Sequence, residues 1–124
     1  MLERYCLINT AQKKILRMIW PGPFSIILSS KLGLPRQLTG GEPTLAARLP
    51  KNDFLIKLIK HLDCPLVSTS LNVTGQEVLL SVKDLDKHFK TSLIDLVIDG
   101  GIIKKRAPSK LLDLRDVDCI KIIR

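Results

Sequence analysis

Hydroxyl and amide side chains crowd one stretch of this sequence, Pro65-Leu66-Val67-Ser68-Thr69-Ser70-Leu71-Asn72-Val73-Thr74-Gly75. Its apolar start reads as a strand, with the polar residues at the carboxyl end, where α/β sheets commonly bind ligands. Ser70 and Asn72 there could give short, directional hydrogen bonds to a phosphate, a ribose or an amino-acid head group. A polar turn that satisfies its own backbone uses the same residue types. Arg48 stands inside a second apolar run, Thr44-Leu45-Ala46-Ala47-Arg48-Leu49-Pro50. A charge there is paired, turned into a cavity, or set on an edge strand facing water, because burying it alone is costly. Turned inward, a guanidinium grips a carboxylate or phosphate through two parallel hydrogen bonds. Asp99-Gly100-Gly101 and the basic run Lys104-Lys105-Arg106 lead to Ala107-Pro108-Ser109. The glycines allow close approach to a ligand, and the cations could meet an anion or form a solvated loop. Arg124 follows the apolar Ile120–Ile123 run and reads as either exposed or anion-directed.

The signatures of other chemistries are missing. The sequence has no G-x-G-x-x-G, no G-K-[ST], no H-E-x-x-H and no G-x-S-x-G. Paired carboxylates at catalytic spacing are not evident. Cys6, Cys64 and Cys119 are odd in number and far apart, and His61 and His88 are the only histidines, which argues against structural zinc. Each cysteine sits beside apolar residues, so buried reduced thiols are expected. Lys and Arg number 20 against 12 acids. Residues 1–62 hold ten of those cations and three acids, and residues 63–124 hold ten and nine. The basic first half suits an anionic partner such as nucleotide, pyrophosphate or RNA, or only a solvated surface. Five aromatics (Tyr5, Trp20, Phe24, Phe54, Phe89) make no visible base-stacking platform.

The elements that must position these residues follow from periodicity. At 124 residues and 45% hydrophobic, the chain has the size of one domain and the composition of a folded one. No apolar run spans a membrane and no secretory leader is visible, so a cytoplasmic protein with no membrane partner is expected. Residues 11–20 predict a helix stopped by Pro21-Gly22-Pro23. Strands are expected at 24–28 and 44–49, with a loop over 29–43 between them. Asn52-Asp53 caps a helix over 54–62, and Ser81 opens another to about Phe89. Residues 66–70 are β-prone, and further strands are expected at 94–98, 111–114 and 119–123. Strands alternating with helices give an α/β domain.

In order and spacing, these segments resemble the YrdC/TsaC family of threonylcarbamoyl-adenylate synthases. The resemblance is carried by Trp20-Pro21-Gly22-Pro23-Phe24-Ser25, by Thr44 to Pro50, and by Pro65 to Gly75. Asp99-Gly100-Gly101, Pro108-Ser109 and the final Ile-Ile-Arg complete it. It implies a YrdC-like twisted mixed sheet with flanking helices around a concave basic cavity. It also implies a nucleotidyltransferase that joins L-threonine, bicarbonate and ATP, with Mg2+, into threonylcarbamoyl-AMP and pyrophosphate. Partner proteins would then carry the threonylcarbamoyl group to tRNA. By position, Thr44, Asn72 and Arg124 resemble ATP-contacting residues, and Arg48, Ser70 and Ser109 resemble residues that hold threonine or its carbamoylated form. Such chemistry aligns two anions and needs no nucleophilic side chain.

The chain departs from the family pattern in places. Neither the Tyr-Pro-Thr-Glu-Thr type segment nor the Lys-x-Arg type triphosphate motif that follows it in the family stands ahead of Trp20-Pro21-Gly22-Pro23, where only Lys13-Lys14 is found. The usual Ser-Ala-Asn is Ser70-Leu71-Asn72, and the usual Ser-Thr is Ser109-Lys110. Residues 1–124 are therefore expected to be a single partial domain that lacks its N-terminal part and has little activity alone. Two other readings stand beside it. One is a non-catalytic module for tRNA or double-stranded RNA. The other is a remnant whose incomplete sheet drives self-association.

Overall fold

A computed structural model describes residues 1–104 and 107–124, so two members of the basic run, Lys105 and Arg106, lie outside the described residues. The chain forms two compact units, Met1–Val67 with Pro108–Arg124, and Ser68–Ala107.

The first unit is built on a four-stranded mixed sheet. Its strands are β1 (Phe24–Ser29), β2 (Thr44–Arg48), β3 (Lys110–Asp113) and β4 (Lys121–Ile122), in the order β2-β1-β3-β4. β1 pairs antiparallel with β2 and parallel with β3, and β4 returns antiparallel to β3. Alternation along β1 sorts the two faces. Ile26 and Leu28 are fully buried and, with Leu114, Cys6 and Leu16, form the only hydrophobic core among the described residues. Each such aliphatic side chain contributes about 1.5–3 kcal/mol by leaving water. Ser25, Ile27 and Ser29 point to the other face, where register sets Ser25 opposite Arg48 and Leu111, and Ile27 opposite Ala46 and Asp113.

Helix α1 (Thr10–Ile19) covers the core face. Asn9 caps it: its side chain accepts from Gln12 N and the Gln12 side chain accepts from Asn9 N, both at 2.8 Å. Gln12 is buried, and its Nε2 donates to Leu114 O at 2.7 Å. The expected 29–43 loop contains one short helix, α2 (Arg36–Thr39), set after Pro35 and ended by Gly40 at φ 66°. Proline fixes φ for entry and glycine tolerates the left-handed exit. Helix α3 (Asp53–Leu62) has Asn52 as its cap, accepting from Leu55 N at 3.0 Å.

The second unit has little regular structure. Ser81 accepts from Lys83 N at 3.2 Å and opens a 3-10 turn (Val82–Asp84) that runs into helix α4 (Leu85–His88). Leu85 is the one buried hydrophobic residue described in this unit.

Two expected strands are corrected. Residues 66–70 and 94–98 form none, and Val67 and Leu96 are 81% and 76% exposed. β-branched composition makes a segment fit for a sheet, but a strand exists only where a neighbour offers paired N–H and C=O groups. The cysteine expectation holds for Cys6 alone, whose thiol burial pushes up; Cys64 and Cys119 are exposed. Among the described residues no helix is long and apolar enough to cross a membrane.

Candidate ligand-binding site

Arg48 and Ser109 meet at one end of the sheet. β2 ends at Arg48, and β3 begins at Lys110, immediately after Ser109, with the start of β1 between them. The Arg48 Nη1 donates to Ser109 Oγ, and its Nε donates to Gly22 O at 3.3 Å. A guanidinium held on these two sides keeps its Nη2 donors and its second Nη1 proton for a ligand oxyanion. Ser109 accepts from Arg48, so its own hydroxyl proton is free for the same oxyanion. The sequence left Arg48 between a paired inward charge and a solvated edge residue, and the structure combines the two. β2 is an edge strand and Arg48 is exposed, yet the side chain is anchored.

Arg124 belongs to the same sheet end through its backbone: its carbonyl accepts from Leu111 N at 2.8 Å, two residues beyond Ser109. Thr44 does not. It opens β2 opposite Ser29, four residues before Arg48, or about 13 Å along an extended strand. Thr44 and Arg48 do share one face, the one turned away from Leu45 and the core.

Ser70 and Asn72 lie in the second unit. Asn72 is half-buried, and its Nδ2 donates to Val73 O and Gln76 O, both at 3.1 Å, closing the 72–76 turn. That leaves its Oδ1 shut from solvent and without a donor among the described residues. Ser70 is exposed, and its carbonyl accepts from Asn72 N at 3.1 Å.

Sequence reasoning passed over a second polar cluster on the site face of the sheet. Asp113 is buried and bound by Arg115, whose Nη2 lies 2.6 Å and Nε 3.1 Å from Asp113 Oδ2. These hydrogen bonds hold the Asp113 carboxyl below its ordinary range against the opposing effect of burial. With Asp116, Cys119 and Lys121 the pair lines a shallow depression of about 300 Å³. The Asp-x-Arg spacing inside an apolar run was its available signal. Among the described residues no three His, Cys, Asp or Glu side chains gather as a metal site.

Comparison with known proteins shows the family. The Sua5/YciO/YrdC family model, described as telomere recombination, matches residues 1–124. The threonylcarbamoyl-AMP synthase of Psychromonas ingrahamii is 30% identical over 114 residues, covering 89% of this chain and 60% of the relative. That of Pyrococcus abyssi is 31% identical over 100 residues, covering 81% of this chain and 29% of the relative. The chain thus spans less than two thirds of each of these relatives. The crystal structure of P. abyssi Sua5 complexed with L-threonine superposes with a TM-score of 0.84 at 28% identity, over 99% of this chain and 36% of that one. E. coli YciO shares the fold, with a TM-score of 0.73 at 24% identity over 99% of this chain and 59% of its own. With its full described sheet, its Arg48–Ser109 corner and residues 1–124 all inside that match, the chain belongs to the Sua5/YciO/YrdC family.

Proposed function

We propose that this chain carries the threonine-holding part of a threonylcarbamoyl-AMP synthase and contributes to its ATP site. The Arg48–Ser109 contact carries the reading, because it builds an oxyanion-directed corner from two residues that sequence resemblance assigns to threonine. Relatives of this chain are named threonylcarbamoyl-AMP synthases, and a solved neighbour at 28% identity holds L-threonine.

In the proposed reaction the threonine amine captures bicarbonate or carbon dioxide as a carbamate, releasing water in the bicarbonate case. A carbamate oxygen then attacks the α-phosphorus of ATP, and pyrophosphate leaves. Arg48 and Ser109 hold the threonine-derived anion, and their charge and hydrogen bonds offset its repulsion from the phosphates. By resemblance alone, Ser70 is assigned to threonine, and Thr44, Asn72 and Arg124 to ATP. Mg2+ enters with ATP as part of the substrate, since such ions commonly bind substrate phosphates with one or two carboxylates. The product's threonylcarbamoyl group is destined for tRNA.

Calorimetric titration of L-threonine into the chain tests the reading. Saturable binding, lost in Arg48→Ala, supports it; the absence of L-threonine binding to the unmodified chain contradicts it.

A second reading concerns assembly. The outer edge of β4 is unpaired among the described residues, and Ile122 and Ile123 beside it are 70% and 55% exposed. Two copies pairing these edges about a two-fold axis would cover both. We propose self-association through β4.

A further inference from the structure

The Trp20–Phe24 turn touches both strands that supply the site, although none of its residues is assigned a ligand. Gly22 spends both backbone groups on the end of β2: its N–H donates to Leu49 O at 2.9 Å, and its carbonyl accepts from Arg48 Nε at 3.3 Å. The carbonyl of Pro23 accepts from Lys110 N at 3.1 Å, next to Ser109. Trp20 Nε1 donates to Phe24 O at 2.8 Å and closes the turn on itself. Gly22 meets a requirement of space: a Cβ there would stand 2.4 Å from the Ile19 carbonyl oxygen, which is helix backbone and cannot swing aside.

Strand pairing alone fixes only the backbones of β2 and β3. Arg48 is exposed at the last position of an edge strand, and its long side chain would otherwise sample many rotamers. A fixed carbonyl on Nε restricts that freedom and leaves the Nη2 donors for a ligand. The same turn sets the start of β3, and therefore the hydroxyl that the guanidinium meets. We propose that the Trp20–Phe24 turn is the positioning element of the site, with Gly22 the positioning residue that orients the Arg48 guanidinium before ligand arrives. The inference builds on Arg48 as the oxyanion-holding residue, but the orientation is a property of the free chain.

Nitrogen-15 NMR of the free chain reads the orientation without any ligand. The expected result is a resolved, slowly exchanging Arg48 Nε–H signal, identified by its loss in Arg48→Lys. It should merge with the averaged arginine signals in Gly22→Ala. Trp20→Phe removes only the indole hydrogen bond, and serves where Gly22→Ala does not fold. Leu28→Ala is the control for lost stability, since it opens the core near the far end of β1, opposite Leu45, and should leave the signal in place. L-threonine titration adds a second readout. Gly22→Ala should weaken binding about tenfold by losing preorganisation, and should weaken it no further when added to Arg48→Lys, which keeps the charge but has no Nε for the Gly22 carbonyl. An averaged Arg48 signal in the unmodified chain, or one unmoved by both turn variants, overturns the proposal. Equal weakening by Leu28→Ala at matched thermal stability also overturns it. Failure of the unmodified chain to bind threonine removes the functional reading alone, and the NMR signal then decides the positioning role.

Discussion

The guanidinium of Arg48 donates to the hydroxyl of Ser109, 61 residues later in the sequence, across the start of the central strand. Its planar fork does what a lysine cannot: Nε and Nη1 are spent on Gly22 and Ser109 while the Nη2 donors stay available. Arg48→Lys keeps the charge and should still weaken L-threonine binding at least tenfold. Ser109→Ala removes one acceptor and one donor and should cost less, about threefold to tenfold. Calorimetry on the two variants checks the order.

Catalysis by the chain alone should be weak. Holding a threonine-derived anion is only part of the proposed reaction, and no Lys-x-Arg type motif, which the family resemblance assigns to the triphosphate, stands ahead of Trp20. Threonine- and bicarbonate-dependent pyrophosphate release should therefore stay close to the no-enzyme background. Robust turnover by the purified chain would contradict this.

Acid should loosen the β3 end of the sheet. A carboxyl whose pKa is lower folded than unfolded stabilises the fold above its unfolded value, and that contribution is lost as pH falls through the folded value. Asp113 is held down by its hydrogen bonds from Arg115, so its contribution is complete above about pH 4 and fades below it. Asp113→Asn should lower stability at neutral pH by about 1 kcal/mol, because Arg115 remains half exposed. It should also flatten the acid limb of a melting-temperature profile. Glu3, Asp63 and Asp84 shift in the same direction through Lys13, Arg4 and Lys87, but these exposed pairs add little.

Association through β4 predicts a dimer in solution. Light scattering at micromolar concentration should give twice the chain mass, and Ile122→Lys should return it to the monomer by placing a charge on the shared edge. A monomer at all concentrations would contradict the pairing.

The sequence was most legible where local signals and burial agree. Pro21-Gly22-Pro23 stopped α1, Asn52 capped α3, and β1 and β2 formed at the expected places. The start of α1 was read one residue late, although Asn9 and Gln12 form a capping box. The buried role of Gln12 was invisible, because its partner is the carbonyl of Leu114, which only the fold brings near. Residues 66–70 and 94–98 misled because β-propensity reports a side chain's fit to a pleated surface, and pairing is supplied by other segments. At the candidate site, residue type marked Arg48, and the family resemblance marked Ser109. The part played by Gly22 was hidden, since its contribution is two backbone groups and an absent Cβ.

Comparing L-threonine with L-threoninol, which lacks the carboxylate, gives the most direct test of an oxyanion corner at Arg48 and Ser109. Titrated into the same preparation, L-threonine should bind saturably and L-threoninol should not, and Arg48→Ala should abolish the difference. Equal binding of the two compounds, or a preference unaffected by Arg48→Ala, would contradict the account.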